Sequence, residues 1–101
     1  MKLERIPWSD SGAPDEADLR HRLRADGFDA MVWSDTPGRT YAPHRHDHHE
    51  CLWCVRGTIT FHIDGTDYRL EPGDCLMLPE GTLHGATAGP RGATYLIGER
   101  S

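Results

Sequence analysis

The sequence predicts an all-β sandwich or barrel carrying one short N-terminal helix. Three observations predict it. Beyond Phe28 the chain breaks into seven or eight short strand-like runs, most of them closed by Gly, Pro or Asp. Residues 57–63 alternate, with Ile59, Phe61 and Ile63 on one face and Thr58, Thr60 and His62 on the other. Asp64-Gly65 then offers a tight hairpin turn.

Taken in order, Met1 to Gly12 reads as irregular, punctuated by Pro7, Ser9, Asp10, Ser11 and Gly12. A helix follows. Pro14 suits its first position, acids fill its first turn, bases come later, and Gly27 suits the residue just past its end. Leu19 and Leu23 form a narrow apolar stripe, so the helix should lie on the outside of something larger. Strands are expected at 28–34, 50–56, 57–63, 67–70, 75–78, 82–88 and 93–97. Pro72-Gly73 and Gly89-Pro90-Arg91-Gly92 read as turns. The domain reading is residues 1–27 as an N-terminal segment with the helix, and 28–101 as a single barrel domain.

Length and composition narrow the function. A chain of 101 residues is one domain's worth. Its formal charge is −5, and its ten Arg and one Lys are scattered, so no basic stripe suggests nucleic acid as a partner. No apolar run is long enough to span a membrane, and the N-terminus lacks the apolar core of a signal peptide. Three cysteines fit no disulfide framework. A cytoplasmic protein is the expectation. The runs 50–56 and 75–78 are apolar on both faces. One face can line a barrel; the other needs cover from the helix, a second sheet or a second subunit, and a homodimer is expected.

Four of the seven histidines fall within six positions: His44, His46, His48 and His49. Imidazole nitrogens and carboxylate oxygens are ligands for divalent first-row metals. Residues two apart on a strand point the same way, so His44 and His46 can share an ion. Glu50 follows a short turn, and His84 lies on a later strand. Three imidazoles and one carboxylate around a 2+ ion leave a net 1+, which suits an anionic ligand or an O₂-derived species.

These residues carry a family resemblance. Gly38, His44, His46, Glu50 and Gly57 keep every spacing of the first cupin motif, and Gly73, Pro79, Gly81 and His84 keep those of the second. Ala88 stands where the motif ends in Asn. The chain resembles the cupin superfamily over Gly38 to Ala88, about half its length. The resemblance implies an all-β cupin double-stranded β-helix, a jelly-roll barrel. It implies that His44, His46, Glu50 and His84 ligate a divalent transition metal (Fe, Mn, Ni, Zn or Cu). Frequent dimerisation is implied too.

Other residues read more plainly. His48 and His49 are expected in an exposed turn, His62 facing solvent, and His21 on the polar side of the helix. Cys51 and Cys54 are three apart on a strand, so their sulfurs face opposite ways and cannot share an ion. Cys54 is expected to line the pocket on Glu50's face, as a candidate for oxidation. Cys75 reads as core, and Trp53 and Met77 as core or interface. Ala86 and Ala88 leave room beside His84 for a cavity, with Leu52, Cys54, Phe61, Ile63 and Leu76 as walls and Tyr41 or Arg56 to fix a small molecule. Two functions fit: an oxidoreductase of dioxygenase type acting on a small molecule, or a non-catalytic module that binds or senses a small molecule or metal. In the second, the metal is largely structural.

Overall fold

A computed structural model describes all residues from Met1 to Ser101. Seven strands and one helix follow the order β1 (Glu4–Ile6), α1 (Glu16–Ala25), β2 (Asp29–Asp35), β3 (Thr40–His44), β4 (His49–Ile63), β5 (Thr66–Leu70), β6 (Cys75–Leu78) and β7 (His84–Arg100). All ladders are antiparallel. The main path of the sheet runs β1-β6-β4-β7-β2, with β3 on β7 and β5 on β4. No helix is long and apolar enough to cross a membrane.

The all-β expectation holds, with local corrections. The first residues are not wholly irregular: β1 pairs with β6, Glu4 opposite Met77 and Ile6 opposite Cys75. The helix starts later than Pro14 suggests. Asp15 is the cap, and its carboxylate accepts from the Asp18 amide at 3.0 Å, satisfying a donor that the first turn leaves free. Gly27 follows the C-cap at φ +85°.

Runs 50–56 and 57–63 form one strand, β4, whose register against β7 shifts between Cys54 and Arg56 and again between Gly57 and Ile59. Likewise 82–88 and 93–97 belong to one strand, β7. The Gly89-Pro90-Arg91-Gly92 segment is not a turn between strands. Gly57 pairs with Ala93 and Ile59 with Ala88, so these four residues bulge from β7 opposite Thr58. There β7 changes partner, from β3 at Thr87 to β2 at Ala93.

Two apolar clusters result. The inner one fills the barrel and includes Leu52, Cys54, Ile59, Phe61, Leu76 and Tyr95. In the outer one, Leu19, Leu23 and Phe28 cover Cys51, Val55, Cys75 and Leu96. Helix α1 therefore supplies the cover that the two-faced strands call for. Trp53 and Met77 pack against this outer cluster, and the Trp53 indole donates to the Gly73 carbonyl at 2.7 Å. On β2, Met31, Val32 and Trp33 remain exposed.

Candidate metal centre

His44 ends β3 and His84 opens β7, and the two are register partners with ring centroids 4.4 Å apart. Each ring is oriented by its own backbone. His44 Nδ1 donates to the Ala42 carbonyl at 2.8 Å, and His84 Nδ1 donates to the Thr82 carbonyl at 2.9 Å. A carbonyl only accepts, so Nδ1 carries the proton and Nε2 keeps its lone pair. Burial is the main cause that pushes His84 below the usual imidazole range, with His44 and His46 adding to it, which keeps the ring neutral.

His46 lies in the loop after β3, not on the same strand as His44. The loop is tied to the Pro79–Gly81 turn: the Gly81 amide donates to the His46 carbonyl at 2.8 Å. Its ring still converges, 4.8 Å from His44 and 5.3 Å from His84 between centroids. The ligand-capable atoms of His44, His46 and His84 lie within 4.8 Å of one another.

Glu50, near the start of β4, is 5% exposed. Its Oε1 lies 3.7 Å from His46 Nε2. Burial raises its carboxyl above the usual range, against the pull of His46 and His48. A buried carboxylate whose nearest neighbours are imidazole nitrogens at 3.6 and 3.7 Å is an incomplete set of interactions, and a divalent cation would complete it. The donor chemistry thus fits a first-row ion.

His44, His46, Glu50 and His84 all line one cavity of about 300 Å³. Leu52, Phe61 and Ala86 line it as expected, and Tyr41 does so where Arg56 does not. Cys54, Ile63, Leu76 and Ala88 belong to the core behind it. Cys54 is fully buried, its thiol is directed at the Arg56 and Gly57 carbonyls, and burial pushes it up to about 12, so it is no pocket thiol. No Lys or Arg lines the cavity.

Sequence reasoning missed two features. One is Asp35, 7% exposed, which accepts from Tyr41 and Tyr95 hydroxyls and from the Trp33 indole at 3.0 Å. All three rings line the cavity, so one buried carboxylate fixes its aromatic wall. Burial first, then Asp35, raises both tyrosines above their usual range, keeping them as phenols. The other is the pair His48 and Glu99. His48 is not left in an exposed turn; its Nε2 lies 3.6 Å from Glu50 Oε2 and 3.5 Å from Glu99 Oε1. His49 is half-buried and accepts from the Glu80 amide at 3.1 Å, away from the cavity. Only the β4–β7 register brings Glu99 opposite Glu50, and no local sequence signal announces it.

Comparison with known proteins agrees with this geometry. The cupin domain family matches residues 31–96, a span that includes His44, His46, Glu50 and His84. The chain belongs to the cupin family. This cupin is 36% identical over 74 residues to quercetin 2,3-dioxygenase of Bacillus subtilis (strain 168), a match covering 66% of this chain. It spans only 22% of that protein's length. Among solved structures it is similar to a double-stranded β-helix protein from Klebsiella pneumoniae subsp. pneumoniae MGH 78578. That match has TM-score 0.61 and 27% identity, and covers 69% of this chain and 64% of the other. It is also similar to a structure of DMSP lyases, with TM-score 0.67 and 28% identity, covering 73% and 38% of the two chains.

Proposed function

We propose that this cupin holds a divalent transition metal on His44, His46, Glu50 and His84, and acts as a dioxygenase-like oxidoreductase on a small, largely apolar molecule. One observation carries the reading. Two imidazoles whose Nδ1 protons are tied to backbone carbonyls converge with His46, which in turn stands beside the buried Glu50 carboxylate, in a cavity with apolar walls. The likeness to quercetin 2,3-dioxygenase supports the reaction class.

When bound, an ion of this class supplies Lewis acidity and, if redox-active, electron transfer. The chain's own residues do the rest. The Ala42 and Thr82 carbonyls hold two ligand rings in one tautomer, which stiffens the donor set. Phe61, Leu52 and Ile97 exclude water and leave room for an apolar body. Tyr41 and Tyr95 spend their protons on Asp35, and the Tyr41 oxygen also accepts from the Trp33 indole at 3.1 Å, so these phenols can offer a ligand only acceptor lone pairs. With no Lys or Arg in the lining, a neutral molecule bearing hydroxyl donors is favoured over a carboxylate.

The test is metal analysis followed by oxygen uptake. Protein loaded separately with Fe, Mn, Ni, Zn or Cu is offered quercetin as the probe in an oxygen electrode. Uptake with at least one redox-active ion is expected, and its loss together with the metal in His46→Ala. Metal retained in wild type with no uptake under any ion would favour the binding module with a structural ion.

A further inference from the structure

Glu50 on β4 and Glu99 on β7 are direct register partners. Like charges set opposite each other across a ladder are unfavourable, more so when one is buried. His48 sits between them. Its Nε2 is 3.6 Å from Glu50 Oε2 and 3.5 Å from Glu99 Oε1, and it is buried without a hydrogen-bond partner. Those separations exceed an ordinary N–H···O bond of about 2.7–3.2 Å. They lie close to the spacing of two donors on one ion, since metal–ligand bonds of about 2.0–2.2 Å set neighbouring ligand atoms roughly 3–3.5 Å apart.

The two oxygens of Glu50 divide between two groups. Oε1 stands 3.7 Å from His46, whose ring also converges with His44 and His84, while Oε2 stands 3.6 Å from His48; the ligand-capable atoms of His46, His48 and Glu50 lie within 4.8 Å of one another. We propose that His48, Glu99 and Glu50 Oε2 form a second divalent-cation site, joined to the first by the Glu50 carboxylate. The proposal rests on the first site only in sharing Glu50. Carboxylate-bridged ions of this kind stand about 3.5–4 Å apart. One imidazole and two carboxylate oxygens make a ligand set suited to Mn²⁺ or Zn²⁺, with Glu99 adding one negative charge and the Glu50 charge shared between the two ions.

Access is open. Glu99 lines both the inner cavity and a polar surface cleft that also holds Asp29, Asp47 and His48. Asp47 Oδ1 stands 3.4 Å from His48 Nδ1 on the outer side of the ring, adding a carboxylate to the cleft. None of the nine motif positions of the family includes His48 or Glu99.

The experiment is equilibrium dialysis of chelator-stripped protein against Zn²⁺ and, separately, Mn²⁺, with metal counted per chain. Wild type should bind two equivalents. His48→Ala and Glu99→Gln should each keep one tight equivalent and weaken the second at least tenfold. His84→Ala should instead lose the inner equivalent. Glu99 is half-exposed, so Glu99→Gln keeps a folded protein, checked by circular dichroism. In the Mn²⁺ protein, spin coupling between neighbouring ions should broaden the six-line resonance, and Glu99→Gln should restore it. One equivalent in wild type, unchanged by both outer variants, overturns the second site and leaves the first intact. Loss of all metal in His48→Ala overturns it too, because His48 would then belong to a single site. No metal in wild type would sink both readings.

Discussion

Tyr95 and Asp35 are sixty residues apart in sequence, yet the Tyr95 hydroxyl donates to Asp35 Oδ2 at 2.7 Å in the buried floor of the cavity. Asp35 Oδ1 accepts from Tyr41 and Trp33. Three donors from three cavity-lining aromatics keep one buried carboxylate satisfied. Tyr95→Phe removes one of them. A hydrogen bond to a charged group is worth about 1.5–3 kcal/mol, so the variant should lose about that much stability in urea denaturation. A loss under about 0.5 kcal/mol would mean that Asp35 does not depend on this contact.

Glu50 should destabilise the metal-free barrel. Its folded pKa is raised above 4.5, chiefly by burial. The stability it contributes is therefore fully present below pH 4.5 and is lost as pH rises through the folded value. Glu50→Gln avoids burying the charge. At pH 7–8, without metal, Glu50→Gln should melt above wild type by roughly 1–3 kcal/mol of stability, the cost of an ill-partnered buried group. The gap should close toward pH 4. The same variant should bind metal far more weakly. A Glu50→Gln protein less stable than wild type at neutral pH would contradict the incomplete pairing of Glu50.

Two motif glycines differ in what they tolerate. Both have positive φ, +72° at Gly38 and +70° at Gly57. A Cβ on Gly38 would meet nothing within 4 Å, whereas one on Gly57 would lie 2.1 Å from the Gly92 carbonyl oxygen. Gly38→Ala should cost only the left-handed strain, about 1–2 kcal/mol. Gly57→Ala must also displace backbone at the β7 bulge, and should cost about 4 kcal/mol or more. Equal melting temperatures for the two variants would refute the close approach.

The three thiols should be inert in the folded protein. All are buried. Cys54 is pushed up to about 12 by burial, and Cys51 is raised by the neighbouring Cys75 sulfur and by burial, whereas Cys75 is lowered by its contact with Cys51 and owes its protection to burial under the outer cluster. Thiolate is the reactive form. A disulfide reagent such as dithiobis(nitrobenzoate) at pH 8 should label none within minutes, and all three in guanidinium. Rapid labelling of one thiol in native protein would place a cysteine at the surface or in the cavity.

Much of this was legible in the chain because it is local. Alternation marked Ile59, Phe61 and Ile63 as one face, and all three are in the inner core. The stripe of Leu19 and Leu23 marked a docking helix, and both are buried. Local glycine and proline signals misled where tertiary pairing overrode them. Gly89 to Gly92 look like a turn, but β4 and β2 hold that segment inside β7 as a bulge. Pro14 looks like a helix start, but the Asp15 carboxylate makes the better cap.

The sequence by itself determined the strand-rich class, the motif spacing and the four residues expected around a metal, because periodicity and spacing act along the chain. Only the tertiary structure decided what stands near them. Glu99 reaches Glu50, and Tyr95 reaches Asp35, through pairings of β7 with β4 and β2 that span about fifty residues or more. Those registers follow from burying two faces at once, the inner one in the barrel and the outer one under α1. A residue opposite a ligand is set by that global fit, and nothing beside it in the chain records it.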